Sequence, residues 1–151
     1  MQKLLCAVLV VLSITGMAAA SPQSDVMAVV NQFVEGFNKG DVMSTVATCA
    51  DQTVIIDEFA PHVWQGAGAC SSWASDYAVD IKKNGVTDGV VRLLKPLHVD
   101  IAGDVAYVVV PADYAYKKDG KPIKETGSLF TVVLKKGSAG WRITGWAWSQ
   151  A

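Results

Sequence analysis

From Gly89 to Ser149 the chain alternates apolar and polar residues with a period of two, interrupted only by turn signals. That pattern is the strongest constraint on the fold, because it commits about sixty residues to strands joined by short loops. The second strand of the chain runs from Val90 to Ile101 and bends near Pro96. Gly103-Asp104 turns into a third, Val105 to Lys117. Asp119-Gly120 is a hairpin turn, and Lys124 to Lys136 is the fourth strand. After Gly137 to Gly140 the fifth runs from Trp141 to Ser149. Strands linked this tightly lie beside one another as an antiparallel meander. Pro96 and Pro111 fall inside strands, where proline implies a bulge or an edge, and bulges bend a sheet.

The first half reads as helices. Ser24 caps a helix starting at Asp25, whose apolar face is Val26, Val29, Val30, Phe33 and Phe37; Gly40 stops it. Asp41 caps a second helix, Val42 to about Cys49. Thr53 to Asp57 is the first strand. A third helix from about Ala67 to Lys83 carries Cys70, Trp73, Ala74, Tyr77, Ala78 and Ile81 on one face, with Lys82 and Lys83 at the negative end of its dipole. The expected architecture is α+β: three N-terminal helices packed on a strongly curved antiparallel β-sheet, in the order α-α-β-α-β-β-β-β. A bent sheet under helices makes a cup.

Residues 1–20 stand apart. Lys3 is a positive start, Leu4 to Ile14 is mostly apolar, and Ala18-Ala19-Ala20 is a small-residue cleavage site before Ser21. This is the pattern of a secretory signal peptide, which leaves residues 21–151 as a single domain, secreted or periplasmic, with no membrane segment after cleavage. The 151-residue sequence has 13 basic and 14 acidic residues. Removing Lys3 leaves 12 against 14, a net charge of −2, with no basic patch of the size that nucleic-acid binding needs. Cys6 falls in the leader. Cys49 and Cys70 remain, an even pair that an oxidising compartment would join, the alternative being two buried free thiols.

Chemistry concentrates in Asp51 to Gly66, DQTVIIDEFAPHVWQG, where a β-rich run ends in Asp57 and Glu58 and a loop follows with Phe59, His62 and Trp64. Strand alternation lets only one of the two carboxylates face the cup. A carboxylate in an apolar pocket has its pKa raised and can serve as a general base. His62, five residues from Asp57, can fold back to form an Asp–His pair; the competing reading is a solvent-facing loop histidine. His98 lies on the more polar face of its strand. Tyr114 and Tyr116 share a face, and a buried tyrosine hydroxyl can donate to a developing oxyanion. Trp146 and Trp148 share one face of the last strand, and Trp141 takes the other. No nucleophile elbow, phosphate loop, HExxH or dinucleotide fingerprint is present, so no cofactor is called for, and no set of residues sits at metal-ligand spacing.

The helix ending FNKGD (Phe37 to Asp41), the strand DQTVIIDE, the turn into WQGAGA and the closing GWRITGWAWS together resemble the NTF2-like superfamily, in particular its SnoaL-like branch, over Asp25 to Ser149. The resemblance implies a cone with a deep apolar pocket between helices and sheet, and dimerisation through the outer face of the sheet. It implies no single activity, since such cones serve as isomerases, dehydratases, cyclases, hydrolases and transport factors. Asp57 sits near the place of the catalytic aspartate of ketosteroid isomerases, yet the first helix offers Phe33 and Phe37 where those enzymes have a tyrosine. Three readings follow. One is a pocket binding a small hydrophobic molecule, lined by Phe33, Phe59, Trp64, Trp73, Tyr77, His98, Trp146 and Trp148. Another is a lyase, isomerase or hydrolase using Asp57 or Glu58 with His62 and Tyr114. The third is a protein-interaction module whose cup is filled by its own side chains. Expressed in a secreting host, the exported chain is expected to begin at Ser21; intact-mass measurement checks this, and a chain retaining Lys3 would refute the cleavage site.

Overall fold

The computed structural model describes residues 21–151, so the signal-peptide reading of residues 1–20 lies outside the described residues. Helix α1 (Pro22–Lys39) is capped by Ser21, whose hydroxyl accepts the Ser24 N–H at 3.2 Å. The helix thus starts at Pro22 rather than Asp25, because proline fits the first helical position, where its missing N–H has no partner to lose. Gly40 ends it at φ 66°. Helix α2 (Val42–Val46) is shorter than its apolar pattern implied, and Asp41 caps it by accepting the Ser44 N–H at 2.9 Å. The chain turns at Thr45–Thr48 and enters strand β1 (Cys49–Ile56) early.

Strand β2 (Val63–Ala67) follows, paired antiparallel with β1; it occupies residues expected to be a turn. Helix α3 (Ala69–Lys83) comes next, then β3 (Val86–Leu93), β4 (His98–Ala102), β5 (Val105–Lys118), β6 (Lys121–Gly137) and β7 (Gly140–Ser149). The expected long strand from Val90 to Ile101 is two strands. It breaks at Leu94–Leu97, around Pro96, and both pieces pair with β5. Leu94 and Leu97 donate their backbone N–H groups to Pro111 and Val109. The Pro111 backbone nitrogen faces that same edge of β5, so its missing N–H falls where β3 gives way to β4 and leaves the ladder intact.

Among the described residues seven strands form one sheet in the order β2-β1-β7-β6-β5-β3, with β4 also on β5. All neighbours are antiparallel except β1 and β7, which run parallel. The expectation of a purely antiparallel sheet fails there, because β1 precedes the meander and returns beside its last strand. Bulges bend the sheet, among them one in β6 and one in β7. Thr126 and Gly127 of β6, with Gly127 at φ 83°, oppose the single residue Asp113 of β5. In β7 Thr144 is an extra residue between Ile143 and Gly145. That insertion reverses the alternation, so Trp141 lies on the same buried face as Ile143, Trp146 and Trp148, and not opposite them.

The helices cover only the concave face. Ile55, Val108, Val110, Val132, Leu134 and Ile143 of the sheet meet Val26, Val30 and Phe33 of α1 and Trp73 of α3. Among the described residues no helix covers the convex face, and Val54, Ile56, Tyr107 and Leu129 are exposed there. Asp113, nearly buried on that face, is held by Arg92 and Lys124 at 3.3 Å each.

Cys49, at the start of β1, and Cys70, in the first turn of α3, form the disulfide, closing a separation of 21 residues. It pins α3 over the β1–β2 edge. Replacing both cysteines by alanine is expected to lower stability by about 3 kcal/mol through the freed denatured chain. Urea unfolding of the double variant against the oxidised protein measures this; an unchanged midpoint would show that the bridge is dispensable.

Candidate functional site

Between the helices and the concave face lies a cavity of about 240 Å³, lined by Phe33, Val34 and Phe37 of α1, Trp73, Tyr77, Asp80 and Ile81 of α3, and residues of the sheet. Its aromatic wall is continuous. Trp73 meets Trp146 edge-on at 4.9 Å, Phe33 contacts Trp73, Phe130 and Trp146 at 5.6–5.9 Å, and Trp73 stacks on Tyr77 at 5.6 Å. Trp73, Tyr77 and Trp146 line the cup and leave it open, contrary to a self-filled cone.

Asp57 and Glu58 both line it. Strand alternation predicts only one inward acid, but β1 ends at Ile56, so the rule lapses before either residue. The turn that carries them is closed by Asp57 N–H donating to the His62 carbonyl at 3.0 Å and His62 N–H to the Phe59 carbonyl at 2.9 Å. Asp57 is fixed from two sides: its carboxylate accepts the Trp73 indole N–H and the Glu58 backbone N–H, both at 2.8 Å. Burial raises its pKa, these two hydrogen bonds oppose the rise, and the charge of Asp80 adds to it. Glu58 is also raised, by burial first, then by the charges of Glu125 and Asp57.

Tyrosine hydroxyls complete the polar set. Tyr77 and Tyr114 share a hydrogen bond of 2.7 Å across the cavity. Gly89, at the β3 bulge, leaves room for it, since a Cβ there would lie 2.7 Å from the Tyr114 hydroxyl. Burial raises the pKa of both phenols. Tyr116 donates to Glu125 at 2.8 Å, and that bond, with burial, pushes its pKa up to about 12. All three phenols are therefore protonated donors at neutral pH.

Other sequence-predicted residues lie elsewhere. His62 is exposed at φ 73°, with Nδ1 3.2 Å from the Asp57 backbone carbonyl rather than at its carboxylate, so the turn geometry that brings the two residues together also keeps the ring outside the cavity. His98 opens β4 opposite Val109, exposed on the convex side of the sheet. Trp64 sits behind the wall, 4.9 Å from Phe59, its indole donating to Asp76 at 2.8 Å. Phe33, Phe59, Trp73, Tyr77, Tyr114, Trp146 and Trp148 all reach the cavity. Sequence reasoning left out Glu125, Asp80 and Phe130, and noted Tyr116 beside Tyr114 without assigning it to the pocket. On β6, Lys124 turns to Asp113 and Glu125 to Tyr116. Register counted outward from the Asp119-Gly120 turn would have found Glu125, for it sets Tyr114 opposite that residue. Among the described residues no group of three or more His, Cys, Asp or Glu is placed to hold a metal ion.

A raised carboxylate carries a definite sign in stability. The folded state holds the Asp57 proton to higher pH than the unfolded chain, so stability contributed by protonated Asp57 is present at low pH and falls as pH rises from the ordinary carboxylate range through the folded pKa. Asp57→Asn is expected to flatten that fall. Chemical denaturation from pH 3 to 7 reads the slope, and an unaltered slope would show that Asp57 titrates normally.

A family model described as a SnoaL-like domain matches residues 26–151. Solved structures share the fold. The CaMKII hub of S. rosetta has a TM-score of 0.73 at 20% identity, covering 89% of this chain and all of that one. An NTF2-like superfamily protein from Salmonella enterica serovar Typhimurium has 0.71 at 16% identity, covering 85% and 89%. A ketosteroid isomerase-like protein from Erwinia carotovora atroseptica has 0.67 at 17% identity, covering 85% and 95%. No protein with a curated description matches the chain.

Proposed function

The chain belongs to the SnoaL-like domain family, and from that premise we propose that its cone is a binding pocket for one small molecule with a flat, apolar body. The observation that carries this reading is the open cavity itself: about 240 Å³ walled by aromatic rings, a volume of about eight liquid waters. A protein that needed only stability would collapse such a space, because unfilled core volume is destabilising. Trp146 adds to it. It lines the cavity and meets Trp73 edge-on at 4.9 Å, which extends the aromatic wall across the sheet.

A second reading is favoured by one specific arrangement. Asp57, with a raised pKa, faces the same cavity as the Tyr77–Tyr114 hydroxyl pair. A base and protonated donors on one cavity are the parts of a proton-transfer enzyme, a lyase, isomerase or hydrolase. His62 has no part in it, since its ring lies outside. We assign the exposed apolar convex face to a second copy of the chain, giving a homodimer, and residues 1–20 to a leader that directs the domain to the periplasm or the medium. In support of export, the disulfide suits an oxidising compartment. Among the described residues, no helix is long and apolar enough to cross a membrane.

Binding is testable with naphthalene as probe. Saturation-transfer NMR is expected to show binding with a Kd on the order of 0.1–1 mM, as befits ten carbon atoms without polar anchors. Val91→Trp, which places an indole in the cavity, is expected to abolish the signal while leaving circular dichroism unchanged. Binding that survives in this variant would place the ligand elsewhere.

A further inference from the structure

The carboxylates of the cavity are distributed in a way that simple apolar binding does not require. Asp57, Glu58, Asp80 and Glu125 line it, and among the described residues no lysine, arginine or histidine does. Four acids elsewhere in the fold have basic partners: Asp113 takes Arg92 and Lys124, Asp88 takes Lys117, Asp104 takes Lys135 and Glu35 takes Lys39. Among the described residues none of the four cavity acids has such a basic partner. The acids do not converge as metal ligands would. They are spread around an aromatic wall, and at the Glu125 end that wall is made of faces suited to a cation. Tyr114 and Tyr116 stack at 4.9 Å, and Trp148 meets Tyr114 edge-on at 6.5 Å. Tyr116 orients Glu125 through its 2.8 Å hydrogen bond.

Resting on the pocket reading above, we infer that the ligand is an organic cation, a protonated or quaternary amine on a flat apolar body, whose charge is seated among Glu58, Glu125, Tyr114, Tyr116 and Trp148. Electron-rich ring faces attract a cation most strongly where water is excluded, and carboxylates without counter-ions add direct charge attraction. An anionic ligand would meet four acids and no base. A neutral ligand would leave those acids desolvated and unpaired, which the ammonium group relieves. The remaining cavity, walled by Phe33, Trp73 and Trp146, holds the apolar body.

Isothermal titration calorimetry with 4-(trimethylammonio)phenol and its uncharged isostere 4-tert-butylphenol, at a pH where both phenols keep their protons, separates charge from shape. The cation is expected to bind at least about tenfold more tightly. Glu58→Gln and Glu125→Gln are expected to weaken the cation several-fold and leave the isostere unchanged. Equal binding of the two, or preference for the isostere, overturns the cation assignment while the apolar pocket stands. Binding of neither compound overturns both. A cation preference that persists undiminished in the Glu58→Gln, Glu125→Gln double variant also overturns the seat assigned here.

Discussion

Curvature of the sheet is the constraint on which everything else depends. A flat sheet under two helices would close into a solid two-layer core. Here Thr126-Gly127 in β6 and Thr144 in β7 each insert a residue into the ladder, and the strands bend around the space they enclose. The same insertions choose which side chains face that space. Had β7 run regularly through Thr144 with no bulge, the alternation that puts Trp141 and Ile143 on the concave face would have turned Trp146 and Trp148 outward.

Once the sheet is bent, the helices need only bridge its rim. α1 contributes Phe33 and Phe37, α3 contributes Trp73 and Tyr77, and the disulfide from Cys49 to Cys70 holds α3 against the edge strands. Polar groups are then secured by partners from other elements. Trp73 in α3 holds Asp57 of the β1–β2 turn, Tyr77 in α3 meets Tyr114 in β5, and Tyr116 in β5 holds Glu125 in β6. Each bond joins two different elements, and those of Trp73 and Tyr77 tie α3 to the sheet side of the cavity, so the acidic and phenolic groups are positioned by the packing of helix on sheet. Positioning from several elements is what a recognition site requires, because each group's own rotamer freedom is already spent in the fold.

The convex face differs in kind. Its exposed apolar residues, Val54, Ile56, Tyr107 and Leu129, come from β1, β5 and β6, while its buried acid, Asp113, is neutralised by Arg92 and Lys124. Asp113 is paired with two bases, whereas among the described residues the acids that line the cavity have none.

The alternation after Gly89, the helical faces of α1 and α3, and the Asp119-Gly120 turn were legible because each is a local pattern whose period is set by backbone geometry. Asp57, Glu58, Tyr114 and the tryptophans were legible as chemistry because their residue types are costly to bury without a reason. The parallel seat of β1 on β7, the strand Val63–Ala67, the face of Trp141 and the exclusion of His62 were not. Each depends on a bulge, a turn or a pairing between distant segments, and one inserted residue reverses every side chain beyond it. The sequence by itself therefore determined an α+β cone with an aromatic, acid-bearing interior. Only the tertiary structure decided which acids share that interior and that no base joins them, because facing is fixed by register and curvature, which no local pattern encodes.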